Sequence, residues 1–143
     1  MINRAPIYDT TGVSYDPITV HLNIQYDMMI PSFSDPDGGL AFANIQETAT
    51  YPIPWNMLPD FSYVTFAPLD FTQLGIHTLY VRLYDTGGAF SDLPVQVTVV
   101  NCVPTFNISP LPSQPVSFNS SFDILLTKFI TDHEGHAIEL TPW

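Results

Sequence analysis

Apolar and polar residues alternate with a period of two across residues 76–84. Leu79, Val81 and Leu83 fall on one face, and Thr78, Tyr80 and Arg82 on the other. Leu93, Val95, Val97 and Val99 repeat the pattern, with Gln96 and Thr98 pointing away. Between the two runs, Asp85-Thr86-Gly87-Gly88-Ala89 supplies a glycine turn, so they are predicted to be the arms of one antiparallel hairpin. Pro94 sits near the start of the second arm, where a missing N–H is tolerated. Shorter strands are predicted at 40–43 and 63–66. Residues 50–59 carry Pro52, Pro54 and Pro59 around Trp55 and read as an extended loop whose indole seals one end of the core. His21 and His77 fall on separate strands, each expected as a partly buried residue of the polar face.

Composition strengthens the strand reading. The 14 prolines leave few windows for a helix of several turns, and Val, Ile, Thr, Tyr and Phe are abundant between them. The chain is read as all-β. Its 143 residues are 45% apolar, enough for a real core. They exceed a sandwich of ~100 residues by about 40. Charge is lopsided: 14 acidic residues face only Arg4, Arg82 and Lys128, for a net charge of −11. Such a surface offers no basic footprint to phosphate backbones or anionic lipid, which excludes nucleic-acid binding. The longest apolar run, 40–43, is far below the ~20 residues of a membrane helix, so no direct membrane insertion is expected. Residues 1–6 have no apolar h-region, and no signal peptide is visible in them. The single cysteine, Cys102, cannot form an internal disulfide; it is either a buried thiol or pairs outside this segment.

An internal repeat organises the chain. Residues 18–33 (ITVHLNIQYDMMIPSF) align without a gap to 114–129 (QPVSFNSSFDILLTKF), with Val20/Val116, Asn23/Asn119, Asp27/Asp123 and Phe33/Phe129 identical. After one inserted residue, Asp35-Pro36-Asp37-Gly38 matches Asp132-His133-Glu134-Gly135, and upstream Asn3-Arg4-Ala5-Pro6 matches Asn101-Cys102-Val103-Pro104. A period near 97 suits whole sandwich domains in tandem rather than a solenoid. The expected domains are therefore a complete repeat at 3–103 and the start of a second at 104–143. The second would be completed either by chain beyond Trp143 or by strands of another molecule.

Asn-x-x-Pro-x-aromatic, then Phe-x-Asp-x-Asp-Gly, a Trp in a proline-rich loop, Gly-x-x-x-Leu-x-Val-x-x-x-Asp-x-x-Gly and Val-x-Val-x-Asn-x-x-Pro follow one another in this order. This order resembles cadherin-like repeats, most closely the dystroglycan type found in large modular surface proteins. The resemblance implies an immunoglobulin/cadherin-like antiparallel β-sandwich, an extracellular or cell-surface location, and neighbouring repeats or other surface proteins as partners. It also implies calcium: Asp35, Asp37 and Asp85 as ligands with Asn3 from the linker, and Asn101, Asp132 and Glu134 as a second, weaker set. On spacing alone, Asp35 and Asp37 equally suit an Asx-type turn needing no metal. The linker at 99–104 lacks the two acidic residues of a full cadherin linker, and Leu69-Asp70-Phe71 is at best a remnant of Leu-Asp-Arg-Glu.

Other chemistry is thin. Asp132-His133-Glu134-Gly135-His136 clusters potential transition-metal ligands, although its histidines are three apart and on an expected turn; the alternative is a solvated loop. No Gly-x-Ser-x-Gly elbow or cysteine–histidine pairing is evident, and no enzyme activity is expected. Asn107-Ile108-Ser109 and Asn119-Ser120-Ser121 are glycosylation sequons if the protein is secreted. The expected role is a non-enzymatic stalk, filament or surface-coat module. The alternative is a carbohydrate- or protein-binding accessory module of a larger surface receptor or hydrolase, using Tyr51, Trp55 and Phe61 unless these merely pack the loops.

Overall fold

In the computed structural model, which describes residues 2–107, 113, 115, 117–119, 123 and 125–139, the two alternating runs are the two longest strands. The chain divides into two units, Met1–Asn101 and Cys102–Trp143. The first contains β1 (Ile7–Tyr8), β2 (Ile18–His21), β3 (Tyr26–Met29), β4 (Phe33–Ser34), β5 (Ala41–Gln46), β6 (Trp55–Met57), β7 (Tyr63–Phe66), β8 (Gly75–Asp85) and β9 (Phe90–Val100). Strands β8 and β9 pair antiparallel from Tyr84↔Phe90 to Gly75↔Val99. They form the centre of a four-stranded sheet, β2-β9-β8-β5, which faces a three-stranded sheet, β3-β7-β6. Inward residues of both sheets build one core: Val20, Ala43, Ile45, Leu79, Val81, Leu83, Val95, Val97 and Val99 from the first, Met28, Val64 and Phe66 from the second. This is an all-β sandwich.

The first strand region is divided between sheets. Strand β1 pairs with β4, whereas β2 runs parallel to β9 through Ile18↔Val97 to His21↔Val100. Covering this end of β9 removes part of an exposed edge. Pro94 falls outside the covered stretch, so its missing N–H costs the sheet no rung.

Two expectations fail. His77 lies on the core face of β8, in phase with Leu79, Val81 and Leu83, and is 8% exposed. A period of two allows nothing else, and its polarity is met by partners: Nδ1 lies 2.6 Å from Glu47 Oε1 and Nε2 lies 2.7 Å from the Gln73 carbonyl. Glu47 also accepts from the Ile53 N–H (3.0 Å), and the Gln73 amide donates to the Pro52 carbonyl (3.0 Å), so this buried network pins the proline-rich loop. Trp55, expected to seal the core, is instead the first residue of edge strand β6 and 41% exposed. Ile53, 1% exposed, fills the core there.

The second unit contains β10 (Thr105–Phe106), paired antiparallel with β11 (Ile130–Thr131), and a 3₁₀ turn at Leu126–Phe129. Among the described residues, no helix is long and apolar enough to cross a membrane.

Candidate metal centre

Strand ends place the expected calcium ligands. Asp35 follows β4 and folds back as an Asx turn: its Oδ1 accepts the Asp37 N–H (2.8 Å) and its carbonyl accepts the Gly38 N–H (3.0 Å). Its Oδ2 lies so near Gly39 that a Cβ there would sit 2.5 Å away. Asp85 ends β8 and is buried; its Oδ1 accepts the Ala89 N–H (3.0 Å), closing the β8–β9 turn.

The N-terminal segment then crosses both. The Asn3 amide donates to Asp85 Oδ2 (3.0 Å) and lies against Gly87, where a Cβ would meet it at 2.5 Å. The next residue, Arg4, meets Asp37 three ways. Its backbone N–H donates to Oδ2 (2.6 Å), its Nε to Oδ1 (2.8 Å), and its Nη2 lies 2.7 Å from Oδ1. Nη2 also donates to the Pro36 carbonyl (3.2 Å). The Arg4 backbone N–H, then its side chain, hold the Asp37 carboxyl below its ordinary range. Two residues on, the Ser91 hydroxyl donates to the Pro6 carbonyl (2.6 Å) and fastens the segment to β9. Consecutive residues thus bring Asp37 and Asp85 to one end of the sandwich. Among the described residues, Asp35, Asp37 and Asp85 are not a group whose ligand atoms all lie within 4.8 Å of one another.

Asp70, in the remnant motif, is an N-cap. It accepts from the Thr72 N–H and hydroxyl (2.8 Å each), and Gln73 answers by accepting from the Asp70 N–H (3.0 Å).

In the second unit, Asp132 Oδ1 accepts the Glu134 N–H (2.9 Å) and the His136 N–H (3.1 Å), and the Gly135 N–H reaches the Asp132 carbonyl (3.3 Å). Within this turn Glu134 is 5% exposed and accepts the Cys102 N–H (2.9 Å), while His133 and Gly135 are exposed. One ligand atom each of Asp132, Glu134 and His136 lies within 4.8 Å of the others. Cys102 is half-buried and in no disulfide; the side chain of Glu134 beside it, then burial, raise its thiol pKa. Asn101 closes the first unit and is exposed.

The remaining candidates separate cleanly. Asn107 is exposed, with its side-chain oxygen accepting from the Thr131 hydroxyl, and Asn119 is exposed at φ 59°. The sequon residues Ile108, Ser109, Ser120 and Ser121 lie outside the described residues. Tyr51 and Trp55 are exposed, whereas Phe61 packs against Phe33 and Phe42 with centroids 6.3 and 5.9 Å apart. Sequence reading missed Arg4 as a site residue. The available signal was its place, a rare cation beside Asn3 of the linker motif.

No family model matches the chain, and no curated protein matches it. Solved structures do. A crystal structure of Drosophila N-cadherin EC1-4 is 19% identical, with 74% of this chain and 28% of that chain covered and a TM-score of 0.54. Protocadherin Gamma B2 extracellular cadherin domains 3-6 match at 17% identity over 70% of this chain and 24% of theirs, TM-score 0.42. A nucleoside hydrolase-related hypothetical protein from Saccharophagus degradans, associated with carbohydrate metabolism, matches at 12% identity over 68% and 26%, TM-score 0.48. The chain thus spans about a quarter of the length of these structures. The N-cadherin likeness identifies the architecture: this chain has a cadherin-like β-sandwich fold.

Proposed function

We propose that the chain is a non-enzymatic structural or adhesive repeat module of an extracellular multi-repeat protein of the dystroglycan-like cadherin variety. In this reading it is a stalk, filament or surface-coat element whose partners are neighbouring repeats or other surface proteins. One observation carries the reading: a single hydrogen-bonding scheme occurs in both units. Asp9 N–H to the Ser32 carbonyl recurs as Asn107 N–H to the Phe129 carbonyl, so strand pairing puts Phe129 in the place of Ser32 rather than Phe33, and Arg4 N–H to Asp37 recurs as Cys102 N–H to Glu134. The Asx turn at Asp35 recurs at Asp132. Tandem copies of one sandwich start are what a serial surface protein requires. Exposed Asn107 and Asn119 suit glycosylation of such a protein. The test is labelling of intact cells with an impermeant reagent, paired with electron microscopy of the native protein. Surface labelling of elongated particles is expected; protein confined to reducing cytosol would overturn the reading.

One feature favours a second reading, an accessory module that binds carbohydrate. A groove of about 270 Å³ is lined by Trp55 together with Gln25, Pro54, Asn56, Thr65 and Ala67. An exposed indole beside amides and a hydroxyl suits a sugar's apolar face and its hydroxyl groups. Glycan-array binding lost in Trp55→Ala would favour this reading, and an array without signal would remove it.

A further inference from the structure

We infer that Arg4 is a built-in cation that takes the place of a metal at the first sandwich's end, so the N-terminal segment is fastened there without calcium. Calcium needs six to eight oxygens at 2.3–2.6 Å, most of them carboxylate or carbonyl. Most of the carboxylate oxygens present are already committed. Both oxygens of Asp37 face donors of Arg4, both oxygens of Asp85 face N–H groups, and the Pro36 carbonyl receives the guanidinium. Asp35 has one oxygen on the Asp37 N–H and the other against Gly39. Asn3 presents its donating nitrogen to Asp85, because a carboxylate can only accept. The donor set of the expected calcium site does not fit the ion.

Charge explains why an arginine suffices. Asp35, Asp37 and Asp85 gather negative charge at this end, in a chain whose other arginine is engaged by Asp92 through two 2.8 Å bonds. A planar guanidinium spans the carboxylate and a neighbouring carbonyl at once, while the Arg4 backbone N–H meets the second carboxylate oxygen. The contact carries a position as well as a charge, because it sets where the segment enters β1.

The experiment compares melting of the whole chain with 2 mM CaCl₂ and with chelator, for wild type, Arg4→Gln, Asp37→Asn and the double variant. (The CaCl₂ level is on the order of extracellular-module affinities.) Wild type is expected to melt identically in both buffers. Arg4→Gln is expected to melt about 2–4 °C lower than wild type in both buffers, because removing the guanidinium frees too few oxygens for the ion, and the double variant is expected to lose less than the two single losses summed. A calcium shift in wild type that Asp37→Asn abolishes would overturn the inference. So would an Arg4→Gln protein that melts like wild type in chelator, because the guanidinium would then balance nothing.

Discussion

The two acidic turns, Asp35–Gly38 in the first unit and Asp132–Gly135 in the second, share one backbone design and differ in what meets their second acid. In each, an Asp carboxylate caps the N–H two residues on, and the segment before the unit's first strand donates a backbone N–H to the second carboxylate. At the first turn the donor residue is Arg4, which adds a guanidinium and draws the Asp37 pKa down. At the second it is Cys102, which adds a thiol whose pKa is drawn up by Glu134. The same geometry therefore stabilises a charge in one place and suppresses a neighbour's ionisation in the other. The turn is a device of the fold, and one residue on the facing segment decides its electrostatics.

The largest effect that would sharpen this comparison is at Asp85, a buried partner with no counterpart among the described residues of the second unit. Its carboxylate closes the β8–β9 turn and holds Asn3. Asp85→Ala is expected to destabilise the protein by about 2 kcal/mol, the scale for losing hydrogen bonds to a charged group. Urea unfolding measures it, and an unchanged midpoint would show that the first turn does not depend on this brace.

Exchanging the donors is the direct challenge. Arg4→Cys should lower the melting temperature, and Cys102→Arg should raise it by supplying Glu134 with a cation. Melting curves in which neither variant moves would break the comparison.

Asp60, Asp70 and Asp92 share the acid limb of stability, and comparison with Asp37→Asn isolates the part that belongs to Asp37. Its folded pKa is depressed, so its contribution is complete above the unfolded carboxyl value of ~3.9 and is lost as pH falls through the lower folded value. Wild type should therefore exceed Asp37→Asn in stability at neutral pH, with the two curves merging in strong acid. Curves that stay parallel down to pH ~2 would assign the difference to packing rather than charge.

The smallest effect belongs to the thiol. Iodoacetamide labelling of Cys102 should need higher pH than an ordinary cysteine, and Glu134→Gln should move the rate profile back toward neutral pH. An identical profile in the variant would remove Glu134 as the cause.

Much of the fold was legible in single residues. The alternation at Leu79, Val81 and Leu83 and at Val95, Val97 and Val99 dictated two strands, because a strand's two faces are a local property of the backbone. The same period placed His77 among the buried positions, and only its polarity misled; the compensating Glu47 lies 30 residues away. The Asx turn at Asp35 was legible as well, since it needs only neighbouring residues. Tertiary structure alone decided the rest. Parallel pairing of β2 on β9, exposure of Trp55 beside a buried Ile53, and the meeting of Arg4 with Asp37 across 33 residues all depend on which segments pack together. Sequence determines what a residue can offer to a partner; the packed sandwich determines which partner comes within 3 Å, and electrostatics at that range outweighs the local pattern.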